Sequence, residues 1–224
     1  QKTAYEIRLS LVGSEMCIRD RSIDVIKIMA KYENICNYIH LPVQSGSDSV
    51  LKAMNRQHTR EEYLRLVENI FKIIPDCSIS HDMISGFPDE SEDDHKQTLS
   101  LMEKVKYSFG YMFKYSERPG TLAAKKLEDN IDEKTKSRRL SEIVDLQQKH
   151  SLFRSKQFIG KTVEVLIEKE SKKSSSHWAG RNQQNATVVF PKKKFNVGDF
   201  VNVKVNDCTS ATLVGEATGY SKNN

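Results

Sequence analysis

The chain has 224 residues, 38% of them hydrophobic, and a formal net charge of +5. That is enough for one large or two modest domains with a core, and no apolar run approaches the ~20 residues of a membrane span. Its four cysteines, Cys17, Cys36, Cys77 and Cys208, stand far apart, which argues against a disulfide framework or a C-x2-C metal knuckle and for thiols in a reducing cytosol.

Residues 1–21, QKTAYEIRLSLVGSEMCIRDR, hold no sustained helical or alternating period and no signal-peptide core. The stretch resembles translated sequencing-adapter DNA, so it is expected to be a non-native leader, with an authentic leader as the competing reading. Ser22 suits an N-cap, with Ile23, Ile26, Met29 and Ala30 as a helical stripe running to about Asn34. Tyr38–Leu41 reads as a short strand and Asp48–Met54 as a brief helix. Thr59 with Glu62 forms a capping box for a helix bearing Leu64, Val67, Ile70, Phe71 and Ile74, which stops at Pro75. Ser78–Ile84 is the second strand. Ser91 with Asp94 opens a helix carrying Leu99, Met102 and Val105, and Phe109–Tyr115 is the third strand. A long charged helix with Leu140, Ile143, Val144 and Phe153 lies within 131–158. Strands alternating with helices predict a parallel sheet with right-handed crossovers. Three strands cannot close a barrel, so a half-barrel with an exposed edge and low stability on its own is expected.

Past Gly160 the texture changes. Segments 161–170, 186–190, 199–205 and 213–218 alternate between Gly, Asn and Ser breaks, which predicts a small antiparallel β-barrel. Residues 171–176 (SKKSSS) read as a flexible loop tip. Residues 22–159 carry 21 Lys/Arg against 21 Asp/Glu, and residues 160–224 carry 10 against 6. The positive excess in the last quarter points to a polyanion partner, or simply keeps a small domain in solution.

Three segments end apolar runs in polar and turn residues, as strands do at the working rim of a βα barrel. They are His40-Leu41-Pro42-Val43-Gln44-Ser45-Gly46-Ser47, Asp82-Met83-Ile84-Ser85-Gly86-Phe87-Pro88 and Tyr115-Ser116-Glu117-Arg118-Pro119-Gly120-Thr121. In this order they resemble the second half of the radical-SAM barrel of the tRNA methylthiotransferases, most closely the MiaB type. The last quarter resembles the TRAM domain, an RNA-binding β-barrel that ends those enzymes. Together the resemblances cover roughly nine-tenths of the chain. The implied fold class is α/β plus all-β: the C-terminal half of a radical-SAM βα barrel over 22–156, then a TRAM barrel over 157–221.

The resemblance implies a parent that methylthiolates C2 of N6-isopentenyladenosine beside the tRNA anticodon, in the cytoplasm and without a membrane. Its cofactors would be S-adenosylmethionine (SAM) and two 4Fe-4S clusters, and its sulfur donor stays open. By the same resemblance Gln44 and Ser45 face SAM, Ile84 packs on its adenine, Gly86 allows close approach, and Asp82 and Ser116 face the same cavity. For Ser47 a helix cap is the better reading, and His40 reads as a packed strand residue. Glu90 and Arg118 are candidate tRNA contacts; the neighbouring acids Asp89, Glu92, Asp93 and Asp94 are explained by a helix N-terminus, and Arg118 by an exposed Pro-Gly turn. His81 departs from the small hydroxyl residue that relatives commonly carry. In the barrel, Trp178 and Arg181 are placed in a polar loop and Lys192 and Lys193 in a turn. A ring for stacking beside cations for phosphates suits RNA, although Trp178 serves equally as a core cap.

Radical-SAM chemistry takes three cysteines in a C-x3-C-x2-C loop, and no such triplet occurs here. The chain as given is therefore expected to be inactive, with no metal ligands and no catalytic residue of its own. Enzymes acting on threonylcarbamoyladenosine have similar counterpart segments, but the Pro-Val-Gln-Ser-Gly and Ser-Glu-Arg-Pro-Gly-Thr spellings favour the isopentenyladenosine type. The ribosomal-protein branch lacks the Gln-Ser-Gly-Ser spelling. A non-catalytic RNA-binding module is the reading from a different class.

Overall fold

The computed structural model describes residues 23–222; the expected leader over 1–21, including Cys17, and the Ser22 cap lie outside the described residues. The first unit runs α1 (Ile23–Lys31), β1 (Tyr38–His40), α2 (Asp48–Ala53), α3 (Arg60–Ile73), β2 (Ser78–Ser85), α4 (Glu92–Val105), β3 (Phe109–Lys114), α5 (Leu122–Lys126) and α6 (Glu133–Lys156). The three strands pair in parallel in the order β1-β2-β3. Both capping boxes form: Thr59 and Glu62 bond reciprocally at α3, and Ser91 and Asp94 at α4. α1 ends three residues earlier than its pattern suggests, and α5 carries no sequence pattern strong enough to predict it.

One face of the sheet is the core. Ile39, Leu41, Ile79 and Met83 pack against Tyr63, Val67 and Ile70 of α3, Leu101, Met102 and Val105 of α4, and Ile143 of α6. The alternation of a strand sends Tyr38, His40, Ser80, Asp82, Ile84, Phe109, Tyr111 and Phe113 to the other face, which is partly open. His81 is on the core face and fully buried. Its Nε2 lies 2.8 Å from Gln147 Oε1 of α6, and its ring lies 4.3 Å from that of Tyr107. Gly110, its neighbour on β3, makes the room: a Cβ there would lie 2.2 Å from His81 Nε2. The sequence departure at His81 is thus a core contact.

The second unit comprises β4 (Thr162–Ser171), β5 (Ser174–Asn182), β6 (Thr187–Pro191), β7 (Phe200–Cys208) and β8 (Leu213–Tyr220), closed in the order β4-β5-β6-β8-β7. Every neighbouring pair is antiparallel except β6 and β8, which run parallel, so the barrel is not wholly antiparallel as expected. Val165, Ile167, Val188, Phe190, Phe195, Val201, Val203, Val205 and Leu213 fill it. Trp178 and Arg181, expected in a loop, sit on β5, and Ser174–Ser176 begin that strand rather than forming a loop tip. β5 has little apolar alternation; it closes on β4 through Gly180, where a Cβ would lie 2.1 Å from Leu166 O. The barrel lies against the end of the sheet where the strands begin. Gln184 Nε2 donates to Asp76 Oδ2 at 2.7 Å, and Arg181, Asn185, Tyr38, Ser78 and Phe109 line one cavity of about 590 Å³.

Candidate functional site

At the other end of the sheet, the loop after β1 folds over the end of β2. The Gln44 amide donates to Asp82 O at 2.9 Å, and the Ile84 amide donates to Gln44 O at 3.0 Å. Gln44 takes a left-handed backbone, φ 73°, a conformation uncommon outside glycine. Gln44, Asp82 and Ile84 are thereby brought together at the rim. Ser45 is fully buried, its hydroxyl 3.3 Å from Thr98 Oγ1 and accepting the Ser47 amide. It therefore braces the loop on α4 and does not open toward a ligand. Gly46 allows that contact, since a Cβ would lie 2.6 Å from the Thr98 Cα.

Ser47 occupies the N-cap position of α2 without a side-chain cap bond. Its hydroxyl turns instead to Asp94 Oδ1 at 2.5 Å, beside that of Ser49 at 2.6 Å. Burial alone would raise the Asp94 carboxyl, but the hydroxyls of Ser47, Ser49 and Ser91 and the Ser91 amide outweigh it and hold the group at about 2. Asp94 is thus a joint between loop and helix.

Gly86 follows β2 at φ 71° and donates its amide to Glu90 Oε2 at 2.7 Å. Glu90, expected to meet tRNA, is 2% exposed and accepts Arg139 Nη1 of α6 at 2.8 Å. Burial pushes its carboxyl up against the opposing pull of the Gly86 amide and Arg139. Its role here is to fix the backbone of the rim. The space a Gly86 side chain would take holds the Lys136 stem, 2.3 Å from such a Cβ. The Lys136 stem thus fills one side of Gly86, and its Nζ reaches Asp129 at 2.6 Å and lies 5.6 Å from the centre of the Tyr115 ring. Ser116 and Arg118 are exposed beyond β3, and Arg118 makes no ion pair among the described residues.

Beneath the rim the open face carries a bonded row. Ser80 Oγ lies 2.6 Å from Tyr38 OH and 2.7 Å from His40 Nδ1, and His40 Nε2 lies 3.5 Å from Asp82 Oδ2. His40 is thus an inner-face polar group beside Asp82. Arg139 carries no signal in the sequence because Glu90 is 49 positions away, and Asp94, legible as the cap partner of Ser91, gives no sign of Ser47 and Ser49, 47 and 45 positions away.

In the barrel, Trp178 is half-buried, and its indole N–H donates to Phe195 O at 2.9 Å. Lys192 Nζ lies 4.3 Å from the centre of its ring and pairs with Glu170. Lys193 reaches Ala217 O at 3.3 Å and Glu216 at 3.7 Å. Arg181 bonds Asn185 Oδ1 at 2.7 Å. Most of the cations expected to face RNA are therefore partly engaged by the barrel itself.

Residues 4–102 match the radical SAM superfamily and residues 156–218 match the TRAM domain. A tRNA-2-methylthio-N(6)-dimethylallyladenosine synthase from Christiangramia forsetii is 67% identical over 206 residues, 92% of this chain and 43% of the relative. The synthase of the same name from Flavobacterium johnsoniae is 62% identical over the same shares. The one from Karelsulcia muelleri is 53% identical over 88% of the chain and 44% of the relative. The chain belongs to the radical-SAM tRNA methylthiotransferase family. It spans less than half the length of these curated relatives. Among solved structures, coproporphyrinogen III oxidase of Escherichia coli, a radical SAM enzyme, superposes with a TM-score of 0.51 at 14% identity, covering 74% of this chain and 44% of that one. That likeness concerns the fold alone.

Membership in this methylthiotransferase family implies SAM and 4Fe-4S clusters, and the described residues fit the two differently. The rim offers a partly exposed carboxylate (Asp82), an apolar side chain (Ile84) and an exposed hydroxyl (Ser116), a donor set suited to a nucleoside bearing an amino acid. Among the described residues, no three His, Cys, Asp or Glu side chains come together as metal ligands, and Cys36, Cys77 and Cys208 are separate free thiols. Burial pushes the Cys77 thiol up to about 12, so it is protonated and inert. Among the described residues no helix is long and apolar enough to cross a membrane.

Proposed function

We propose that this chain is the C-terminal half of a radical-SAM βα barrel with its TRAM barrel, and that the whole protein methylthiolates C2 of N6-isopentenyladenosine next to the anticodon of tRNA in the cytoplasm. The observation that carries this reading is the cross-strand pairing of Gln44 with Asp82 and Ile84 at the rim, in a chain 67% identical to a synthase of that name. Ile84 would meet the adenine of SAM, and Asp82, backed by His40, would take its polar groups. Ser116 would face the same cavity. Glu90 and Arg139 hold the Gly86 amide in place so that the rim keeps its shape. Held by Asp82, Ile84 and Ser116, SAM would supply the hydrogen-abstracting chemistry and, separately, the methyl group, with the cluster bound elsewhere in the protein. The open inner face, with Tyr111 56% and Phe113 52% exposed, is in this reading the barrel lumen.

The test is a chimaera. Residues 22–222 replace the matching part of the Christiangramia forsetii synthase, in a host lacking its own enzyme, and tRNA nucleosides are weighed by mass spectrometry. The methylthio nucleoside is expected from the chimaera and not from its Asp82→Asn form. A folded chimaera that binds SAM yet leaves isopentenyladenosine unmodified, or that modifies threonylcarbamoyladenosine instead, overturns the substrate assignment.

A further inference from the structure

The aromatic–cation pair that is free to take a base is not the one built on Trp178. Lys192 lies over the Trp178 ring and is itself paired with Glu170, and the indole N–H is committed to Phe195 O. At the end of β8, Tyr220 is 42% exposed. Phe195, 4% exposed, braces it with ring centres 5.0 Å apart and planes 80° from parallel. Lys194 Nζ lies 5.6 Å from the centre of the Tyr220 ring, and Lys194 is exposed with no ion pair among the described residues. Val197 in the same loop is 54% exposed.

We infer that Tyr220 and Lys194 form a single-stranded RNA subsite on the barrel, the ring stacking one base and the ammonium taking the adjoining phosphate. The inference rests on the reading of this chain as part of a tRNA-binding enzyme and names where the barrel would hold its partner. The loop after β6 explains the division of labour. It sets Lys192 on Trp178, buries Phe195 between the two aromatics, and leaves Lys194 beside Tyr220. One lysine closes a structural ring, and the other stays available. An exposed ring braced by a buried one loses little freedom on stacking, and every base has a face to offer it.

The test uses the full chain and a fluorescein-labelled single-stranded oligoadenylate, followed by anisotropy across a salt series. Tyr220→Leu is expected to weaken binding roughly ten-fold and Tyr220→Phe to leave it within about two-fold, because only the first loses the stacking face. Lys194→Ala should reduce the slope of log affinity against log salt by about 0.7, the value for one phosphate contact on a single strand. Lys192→Ala should leave that slope unchanged. Circular dichroism checks that each variant folds, and the contrast between Lys194→Ala and Lys192→Ala decides the matter if Tyr220→Leu does not fold. If the chain binds RNA but Tyr220→Leu and Lys194→Ala behave as the parent, or Lys192→Ala carries the slope change, the subsite is wrong while RNA binding stands. If the parent chain binds neither oligoadenylate nor tRNA at low salt, the RNA-binding reading fails and the subsite with it.

Discussion

Replacing Arg139 by Met isolates the pair that holds the rim. The Arg139 and Glu90 side chains are 5% and 1% exposed. The guanidinium gives Glu90 two contacts, Nη1 to Oε2 at 2.8 Å and Nη1 to the backbone O at 2.9 Å. Its loss leaves a buried carboxylate with the Gly86 amide as its remaining partner, a situation that costs about 3–5 kcal/mol when one member of a buried pair is removed. The cost should depend on pH with a definite sign. Glu90 is already raised in the folded state by burial, and without Arg139 it rises further. A folded carboxyl above its unfolded value binds a proton that the unfolded chain has released, so stability falls as pH rises through the interval between the two. The variant's deficit should therefore be larger at pH ~8 than at pH ~5. The molecule supplies its own two reporters. All helices among the described residues lie in the first unit, and the single tryptophan, Trp178, lies in the barrel. In urea, the far-ultraviolet ellipticity midpoint should drop while the Trp178 fluorescence midpoint holds. A loss under ~1 kcal/mol at every pH, or equal shifts in both signals, would refute the assignment of Arg139 as the counter-charge of Glu90 beneath Gly86.

Burial holds the His81 imidazole at about 4 against an ordinary 6.5, so the unfolded chain takes up a proton the folded one refuses and stability falls as pH drops through that window. His81→Phe should flatten this part of the stability profile by an amount on the order of 2–3 kcal/mol; an unchanged slope in pH-resolved urea titrations would count against a neutral buried ring. Asp94, held at about 2, contributes stability above its ordinary 3.8 that disappears as pH falls toward 2. Discounted for its partial exposure, Asp94→Asn should cost about 1 kcal/mol at neutral pH and shift the acid-unfolding midpoint upward. Gly180→Ala sets a methyl 2.1 Å from Leu166 O and should destabilise the barrel by roughly 1–3 kcal/mol, read as an earlier Trp178 fluorescence transition with the ellipticity of the first unit preserved.

What was legible in the sequence was local. Thr59 with Glu62, and Ser91 with Asp94, sit three residues apart and form the reciprocal caps their spacing implies. The three rim segments end strands at the same edge of one parallel sheet. What was hidden depended on partners far along the chain. Ser47 had the right neighbours for a cap, but its hydroxyl is taken by Asp94. Glu90 looked like an exposed acid until Arg139, 49 residues away, closed over it. α6 shows a weak apolar stripe because it buries polar groups, Lys136, Arg139, Gln147 and His150, as much as Ile143. β5 escaped notice for the opposite reason: it is a strand by closure, made possible by Gly180 and lacking an apolar rhythm of its own. Tyr220 and Lys194 are 26 residues apart, and only the closed barrel sets them side by side.

The tie between Gln184 and Asp76 gives the sheet a second use. It seats Arg181 at the floor, beside Tyr38, while Gln44 and Asp82 stand at the roof. Along β2 five residues separate Ser78, level with Tyr38, from Met83, level with Gln44, roughly 17 Å at ~3.3 Å per residue. A stacked RNA strand touching both levels would cover that height with about five nucleotides at ~3.4 Å each. Strand length thus sets the separation of the two levels: two residues added between floor and roof would lengthen it by ~6.6 Å and keep each side chain on its face, whereas a single added residue would turn the rim side chains to the opposite face.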